Sequence, residues 1–132
     1  MLLALSLATV MAVHDGDTFY TDTHVAVRIA EADAPELAQA HGTQARDALA
    51  ALILHKQVDI DCKSTSYNRQ VCHVHLGVTD VSAWLIANGH AWLSTKYQTT
   101  RSYTLFSRLA KQQQRGLWAQ SNPVAPWVFR HR

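Results

Sequence analysis

The sequence predicts an α+β domain, mainly β, built as a small barrel with helices packed on it. Short apolar runs rich in β-forming residues fill the first third of the chain, and Asp-Gly at residues 15–16 separates two of them. Helical spacing of apolar residues appears only from residue 43 onward. The chain thus begins with strands, and helices are interspersed later. This order of elements favours a barrel with helices packed on its surface.

Size and composition are those of one folded domain. The 132 residues include 48% hydrophobic and 17% charged side chains. A chain of this length buries ~65–70% of its unfolded surface, and a disordered chain would be less apolar and more charged. The net charge of +2 permits a polyanionic partner without requiring one.

The predicted strands lie at residues 8–13, 18–30, 57–62, 70–76 and 91–95. Asp-Gly between the first two runs is a strong hairpin signal, because these residues adopt the positive φ angles of tight turns. The sequence therefore predicts an N-terminal hairpin and a second hairpin between residues 57 and 76.

Three helices are predicted. The first spans Thr43–Lys56, where apolar residues recur at helical spacing after Gly42. The second covers residues 81–88 and stops at Gly89, and the third covers Arg101–Arg115. Basic residues on one face of the third helix favour a solvated surface over a nucleic-acid patch. The sequence NPVAPW predicts an extended, proline-pinned C-terminal tail.

The second hairpin has a register that satisfies both of its faces. If Cys62 lies opposite Cys72, then Ile60 faces Val74 and Val58 faces Leu76 on one apolar face, because strand side chains alternate. The other face then pairs Asp61 with His73 and Asp59 with His75. This register favours a disulfide between the cysteines, with two reduced core cysteines as the alternative. For His73 and His75, a solvent-exposed face of the hairpin is favoured over a metal site.

We expect residues 1–8 to be either a remnant of an export signal or a disordered lead-in. We expect residues 9–132 to form the domain itself. The first thirteen residues are uncharged, but a basic stretch is missing and the apolar core before Ala8 is short. No segment approaches the ~18 apolar residues of a membrane span. The favoured disulfide indicates an oxidising compartment, so we expect an exported protein, periplasmic or secreted, with a cytoplasmic location left open.

Carboxylates and arginines gather where strands end, and they are the candidates for function. They are Asp17, Arg28, Asp33, Glu36 and Arg69. Carboxylate oxygens are hard ligands that suit Ca²⁺ or Mg²⁺, and planar guanidinium groups suit phosphate. Such a set in one cleft is what hydrolysis of a phosphodiester requires. Each residue also has an ordinary structural explanation, so spacing alone leaves both interpretations open.

Six segments, in this order, resemble the staphylococcal nuclease (thermonuclease-like) family. They are VHDGDTFY, VRIAEADAPE, SYNRQV, LIANGHAW, GLWA and PWVFR. The resemblance implies a five-stranded OB-type barrel with three helices. It also implies Ca²⁺-dependent hydrolysis of DNA and RNA that leaves 3′-phosphates, by a protein that we expect to be monomeric. The alternative is a non-catalytic OB-type module that binds nucleic acid or a peptide.

The resemblance also implies roles for individual residues. Calcium would be held by Asp17, Asp33 and the backbone carbonyl of Ala34. Arg28 and Arg69 would hold the phosphate, and Glu36 would orient the attacking water. Tyr67 and Tyr97 would line the nucleotide.

Two features depart from the family pattern. Asn68 stands where the family has glycine, and Thr95 stands where it has a further tyrosine. In addition, strand alternation puts Arg28 and Asp33 on opposite faces, so the chain must bulge or turn between them if both serve one site.

Overall fold

A computed structural model, in which residues 6–96 and 100–132 are described, shows a closed five-stranded barrel. Its strands are β1 (Ser6–Asp15), β2 (Thr18–Thr21), β3 (Ala26–Ile29), β5 (Gln57–Ser66) and β6 (Arg69–Leu76). They follow the order β3-β2-β1-β5-β6 with antiparallel neighbours, and a parallel pairing of β3 with β6 closes the barrel. The predicted OB-type barrel is confirmed.

Three short strands complete the β structure. β4 (Ala32–Asp33) pairs with β8 (Trp92–Leu93) as a separate ribbon, and β7 (Thr79–Asp80) extends the barrel sheet beside β6. The ribbon begins only two residues after β3 and carries Asp33. It therefore places that acid beside the barrel rather than in its wall.

Four α-helices surround the barrel in the described part of the chain. They are α1 (Gly42–Ile53), α2 (Val81–Ala87), α3 (Arg101–Gln112) and α4 (Pro126–Phe129), with a 3₁₀ turn at Gly116–Ala119. The three predicted helices are confirmed, with C-terminal ends one to three residues earlier than expected. Gly89 follows α2 with φ of 73°, and a side chain there would collide with the carbonyl of Arg115.

The register of the β5–β6 hairpin agrees with the prediction over most of its length. Cys62 faces Cys72, with Ile60 opposite Val74 and each aspartate opposite a histidine. The ladder as described ends at Asp59–His75, so the predicted pairing of Val58 with Leu76 is wrong. On the opposite edge of β6, Leu76 pairs with Thr79, because the chain turns back at Gly77 to form β7.

A disulfide joins Cys62 to Cys72, as favoured from the sequence. The two residues differ in environment, however, since Cys72 is fully buried and Cys62 is exposed. A register shift directly after Cys62 explains the difference, because a bulge redirects side chains at the end of a hairpin.

The C-terminal tail is less extended than predicted. It is extended only up to Ala125, after which Pro126 begins the helical turn α4. Proline suits the first position of a helix because its fixed φ is helical and its missing N–H would have no partner there. We call residues 121–132 the C-terminal strap.

At the N-terminus, β1 begins at Ser6, three residues before the predicted start of the domain, and pairs with β5 there. The nature of the segment before it stays a prediction. In the described ranges, none of the helices has the length and apolar character needed to cross a bilayer.

The core fills the barrel and the space under α1, α2 and α3. Its largest fully buried side chains include Phe19, Ile29, Leu49 and Leu85. The basic residues of α3 are exposed, whereas Tyr103 and Ala110 of the same helix are buried in the core.

Candidate functional site

All five candidate acids and arginines line one cleft of about 920 Å³ at the edge of the barrel. Asp17 lies in the β1–β2 turn, Arg28 belongs to β3, Asp33 to β4, and Arg69 begins β6. Glu36 lies in the loop that leads to α1. Residues distant in sequence therefore meet because strand ends and the β4 ribbon share this edge.

Arg28 and Asp33 converge because the chain turns sharply between them. Glu31 has φ of 65°, in the left-handed region, and it lies in the turn that separates β3 from β4. Alternation along one continuous strand would put Arg28 and Asp33 on opposite faces. The turn changes the direction of the chain between them, so both side chains reach the same cleft. The Nη2 atom of Arg28 lies 3.5 Å from Oδ1 of Asp33, and its Nε atom lies 3.5 Å from Oδ1 of Asp17.

Asp17 is buried and held by three hydrogen bonds. Its Oδ2 accepts a 2.8 Å hydrogen bond from the backbone N–H of Ala34, and its Oδ1 accepts from the hydroxyl of Thr18. Its own N–H donates to Oδ1 of Asp15 across the turn. Gly16 is needed at this turn, since a Cβ there would come within 2.7 Å of the Cβ of Ala34.

Asp15 was interpreted from the sequence only as a turn former, yet it belongs to the acidic cluster. Burial, and secondly the charge of Asp17, raise the pKa of Asp15 to about 7, and the charge of Glu36 acts in the same direction. The carboxyl group of Asp15 is therefore hard to ionise, chiefly because it is buried and secondly because other carboxylates lie nearby.

The chemistry of these groups fits a hard divalent cation. The carboxylates of Asp17 and Asp33 are each only 7% exposed, and they offer oxygen ligands together with the carbonyl of Ala34. Within the described ranges, no three His, Cys, Asp or Glu residues converge as a complete metal-binding group. A cation here would therefore rely on backbone oxygen and water as well, which Ca²⁺ accepts readily.

The hairpin turn presents Arg69 to the cleft. Tyr67 and Asn68 have φ of 52° and 65°, so asparagine takes the left-handed position that glycine holds in the family. The guanidinium of Arg69 donates to the carbonyl of Ser66 and to the hydroxyl of Thr18, which itself donates to Asp17. Tyr67 is almost fully exposed on the rim. Tyr97 lies outside the described residues.

Arg130 is a member of the site that the sequence did not reveal. Its Nη1 and Nη2 atoms donate to the two carboxylate oxygens of Asp33, and Nη1 also donates to Oε1 of Glu36 at 2.8 Å. The hydrogen bonds to Asp33 raise the pKa of Arg130 above its usual value. Ninety-seven residues separate Arg130 from Asp33, so no local spacing could have signalled the contact.

Glu31 and His73 form a second polar connection beside the cleft. The Nε2 atom of His73 lies 2.7 Å from Oε2 of Glu31, and the same oxygen accepts a hydrogen bond from the hydroxyl of Thr100. The other carboxylate oxygen, Oε1, accepts from the backbone N–H of Thr100. His73 is thus engaged with a carboxylate rather than paired with His75. This group ties the turn after β3 to the start of α3.

Barrel and cleft together define an OB-type domain whose edge carries a cluster of acids and arginines. The family model described as "Staphylococcal nuclease homologue" matches residues 26–120. The chain belongs to this family.

Three relatives align with most of the chain. It is 34% identical over 128 residues to an uncharacterized endonuclease of Escherichia coli O157:H7, covering 93% of this chain and 84% of that one. It is 30% identical over 136 residues to a micrococcal nuclease of Shigella flexneri, covering 92% and 78%. A staphylococcal-like nuclease of Oryza sativa subsp. japonica is 31% identical over 105 residues, which are 79% of this chain and 21% of the rice protein.

Proposed function

We propose that this protein is a Ca²⁺-dependent nuclease that hydrolyses DNA and RNA with little sequence specificity and leaves 3′-phosphates. The observation that carries the proposal is the pairing of Arg28 with both Asp17 and Asp33 in a cleft that Glu36 and Arg69 also line. Membership of the family and the nuclease names of its relatives support the same activity.

Each side chain has a part that its chemistry suits. The guanidinium groups of Arg28 and Arg69 bind the phosphate and stabilise the charge that grows on its oxygens in the transition state. Glu36 accepts a hydrogen bond from the attacking water and orients it towards phosphorus. Tyr67, exposed on the rim, offers a surface on which a base can stack. Tyr97 is proposed for the same role.

Asp17, Asp33 and the carbonyl of Ala34 would hold the calcium ion. When bound, the ion polarises a phosphoryl oxygen and offsets the negative charge of the substrate. Hydrogen bonds from Ala34 and Thr18 fix the direction of the Asp17 carboxylate. One ligand of the calcium ion is therefore oriented before the ion binds.

Export to the periplasm or the medium is part of the proposal. The disulfide supports it, because disulfides persist in oxidising compartments and are rare in the cytosol. We also propose that the protein acts as a monomer, since the cleft is built by a single chain.

Digestion of plasmid DNA and of RNA tests the activity. We expect both to be cleaved with Ca²⁺, poorly with Mg²⁺, and not at all with a chelator, because a site with few carboxylates, completed by backbone oxygen and water, suits the larger ion. Analysis of the product ends should find 3′-phosphates. Cleavage that survives chelation, or equal turnover with Mg²⁺, contradicts the proposed site.

A further inference from the structure

The C-terminal strap is attached to the same loop that carries Glu36. The side-chain amide of Gln39 bridges the two, since its Oε1 accepts from the backbone N–H of Glu36 at 2.8 Å and its Nε2 donates to the carbonyl of Val124 at 2.9 Å. Trp127 packs edge-on against Trp92 of β8, with ring centroids 5.4 Å apart. The strap is thus fixed to the structures that flank the cleft.

Arg130 projects from this fixed strap onto two carboxylates at once. It donates to both oxygens of Asp33, at 3.2 and 3.1 Å, and its Nη1 also reaches Oε1 of Glu36. Among the described residues, no other side chain donates to the Glu36 carboxylate. Glu36 is one-third exposed and has three rotatable bonds, so without Arg130 its carboxylate would sample several directions.

A guanidinium group is suited to this task in a way that an ammonium group is not. Its planar donors fix the plane and direction of a carboxylate, whereas lysine acts as a point charge on a flexible chain. Because Arg130 is 43% and Glu36 is 33% exposed, the pair between them adds little to stability. Its effect is on orientation, and the misplacement of a reacting group by about 1 Å can cost ~10²-fold in rate.

We infer that Arg130 is a positioning residue, which holds Glu36 and Asp33 in the directions that the reaction needs. The inference rests on the proposed function. It has a second consequence that needs no substrate: the positive charge of Arg130 lies against the acids that would hold the cation, so it weakens cation binding by Coulomb repulsion. Removing it should therefore slow turnover and tighten calcium binding, two effects that loss of structure would not combine.

Three variants of the full chain separate these effects. Arg130→Ala removes both the positive charge and the planar donors of the guanidinium group. Arg130→Lys keeps the charge but loses the planar donors. Arg132→Ala removes an equal charge from the same strap. Arg132 does not line the cleft. Turnover and KM are measured on DNA, calcium affinity is measured by calorimetry without nucleic acid, and thermal unfolding is measured in chelator.

For Arg130→Ala we expect kcat to fall by about tenfold or more, KM to change by less than about twofold, and calcium to bind about threefold tighter or more. Arg130→Lys should lower kcat while calcium affinity stays at the wild-type level, and this variant carries the test if the alanine variant does not fold. Arg132→Ala should match the wild type in all three quantities.

The inference is overturned if the turnover of either Arg130 variant equals that of the wild type, or if the loss resides in KM, since Arg130 would then contact the substrate itself. It is also overturned if calcium binds Arg130→Ala no more tightly, or if Arg132→Ala reproduces the changes. If the wild type itself cleaves nothing, the proposed function fails instead. If the wild type cleaves DNA and Arg130→Ala cleaves it equally well, only the inference about Arg130 is overturned, and the proposed function stands.

Discussion

The carboxylate of Asp17 accepts a 2.8 Å hydrogen bond from the backbone amide of Ala34, which joins the first hairpin to the segment that follows β4. Asp17 is buried, and Thr18 and Arg28 contact its other oxygen. The direction of this acid is therefore set by the fold and not by a ligand. The cleft is prepared on the side where a cation would be held.

Asp17→Asn and Asp17→Ala should both lose calcium binding, but only the alanine variant should also lose substantial stability. Asparagine keeps an oxygen that can accept from Ala34, whereas alanine leaves that buried N–H without its partner, at a cost of about 1–3 kcal/mol. Calorimetry with Ca²⁺ and unfolding in urea measure the two effects. Calcium affinity in Asp17→Asn equal to that of the wild type would remove Asp17 from the proposed site.

Arg69→Ala should depress turnover by ~10²-fold or more with a smaller effect on nucleotide affinity, because its donors gain value as charge accumulates on the phosphoryl oxygens. Arg69→Lys, which keeps the charge, should recover only part of the rate. Steady-state cleavage and equilibrium binding of a nucleotide give the comparison. A loss confined to affinity would assign Arg69 to ground-state binding alone.

How far the sequence could predict this structure depended on whether the signal was local. The Asp-Gly hairpin, α1 and the pairing of Cys62 with Cys72 follow from turn chemistry and periodicity, and all are present. The five cleft residues were candidates because acids and arginines gather at strand ends, and the family resemblance supplied their roles. Arg130 ends the segment PWVFR that contributes to the resemblance, but its role escaped prediction because its contact with Asp33 spans 97 residues and leaves no periodic signal.

Two further features lay outside what local patterns encode. Glu31 takes a positive φ that glycine or asparagine would usually supply, and its contacts with His73 and Thr100 are tertiary. The helical turn of α4 replaced the extended tail, since a proline is equally compatible with a strap and with a first helical position.

The disulfide should contribute measurably to stability. Cys62 and Cys72 are ten residues apart, and closing a loop of this size restricts the unfolded chain by about 2–3 kcal/mol. A Cys62→Ser/Cys72→Ser double variant should unfold at lower urea concentration, and reductant should affect only the wild type. Mass spectrometry of non-reduced peptides checks the bond. Two alkylatable thiols in exported native protein would count against both the bond and its contribution.

Acid should destabilise the protein through His90. Burial, and secondly the charge of His41, lower the pKa of His90 from 6.5 to about 4 in the folded state. Between these values the unfolded chain binds a proton that the folded chain does not, so stability is lost as the pH falls from about 6.5 to about 4. The loss should be on the order of 1 kcal/mol, because the pair is partly exposed.

His90→Gln should flatten that part of the pH profile, since glutamine has no proton to gain. The free energy of unfolding measured at several pH values for both proteins tests this. An equally steep profile in the variant would assign the acid sensitivity to other groups.

The most direct test of the central claim compares the wild type with Glu36→Gln in Ca²⁺, measuring DNA cleavage and nucleotide affinity in parallel. Glutamine keeps the shape of glutamate but lacks the charge that orients the water. The account predicts a cleaving wild type, a variant with turnover lower by ~10²-fold or more, and nucleotide affinity that is retained. A wild type that cleaves no better than the variant, while the variant binds nucleic acid more tightly, would contradict it and indicate a non-catalytic binding module.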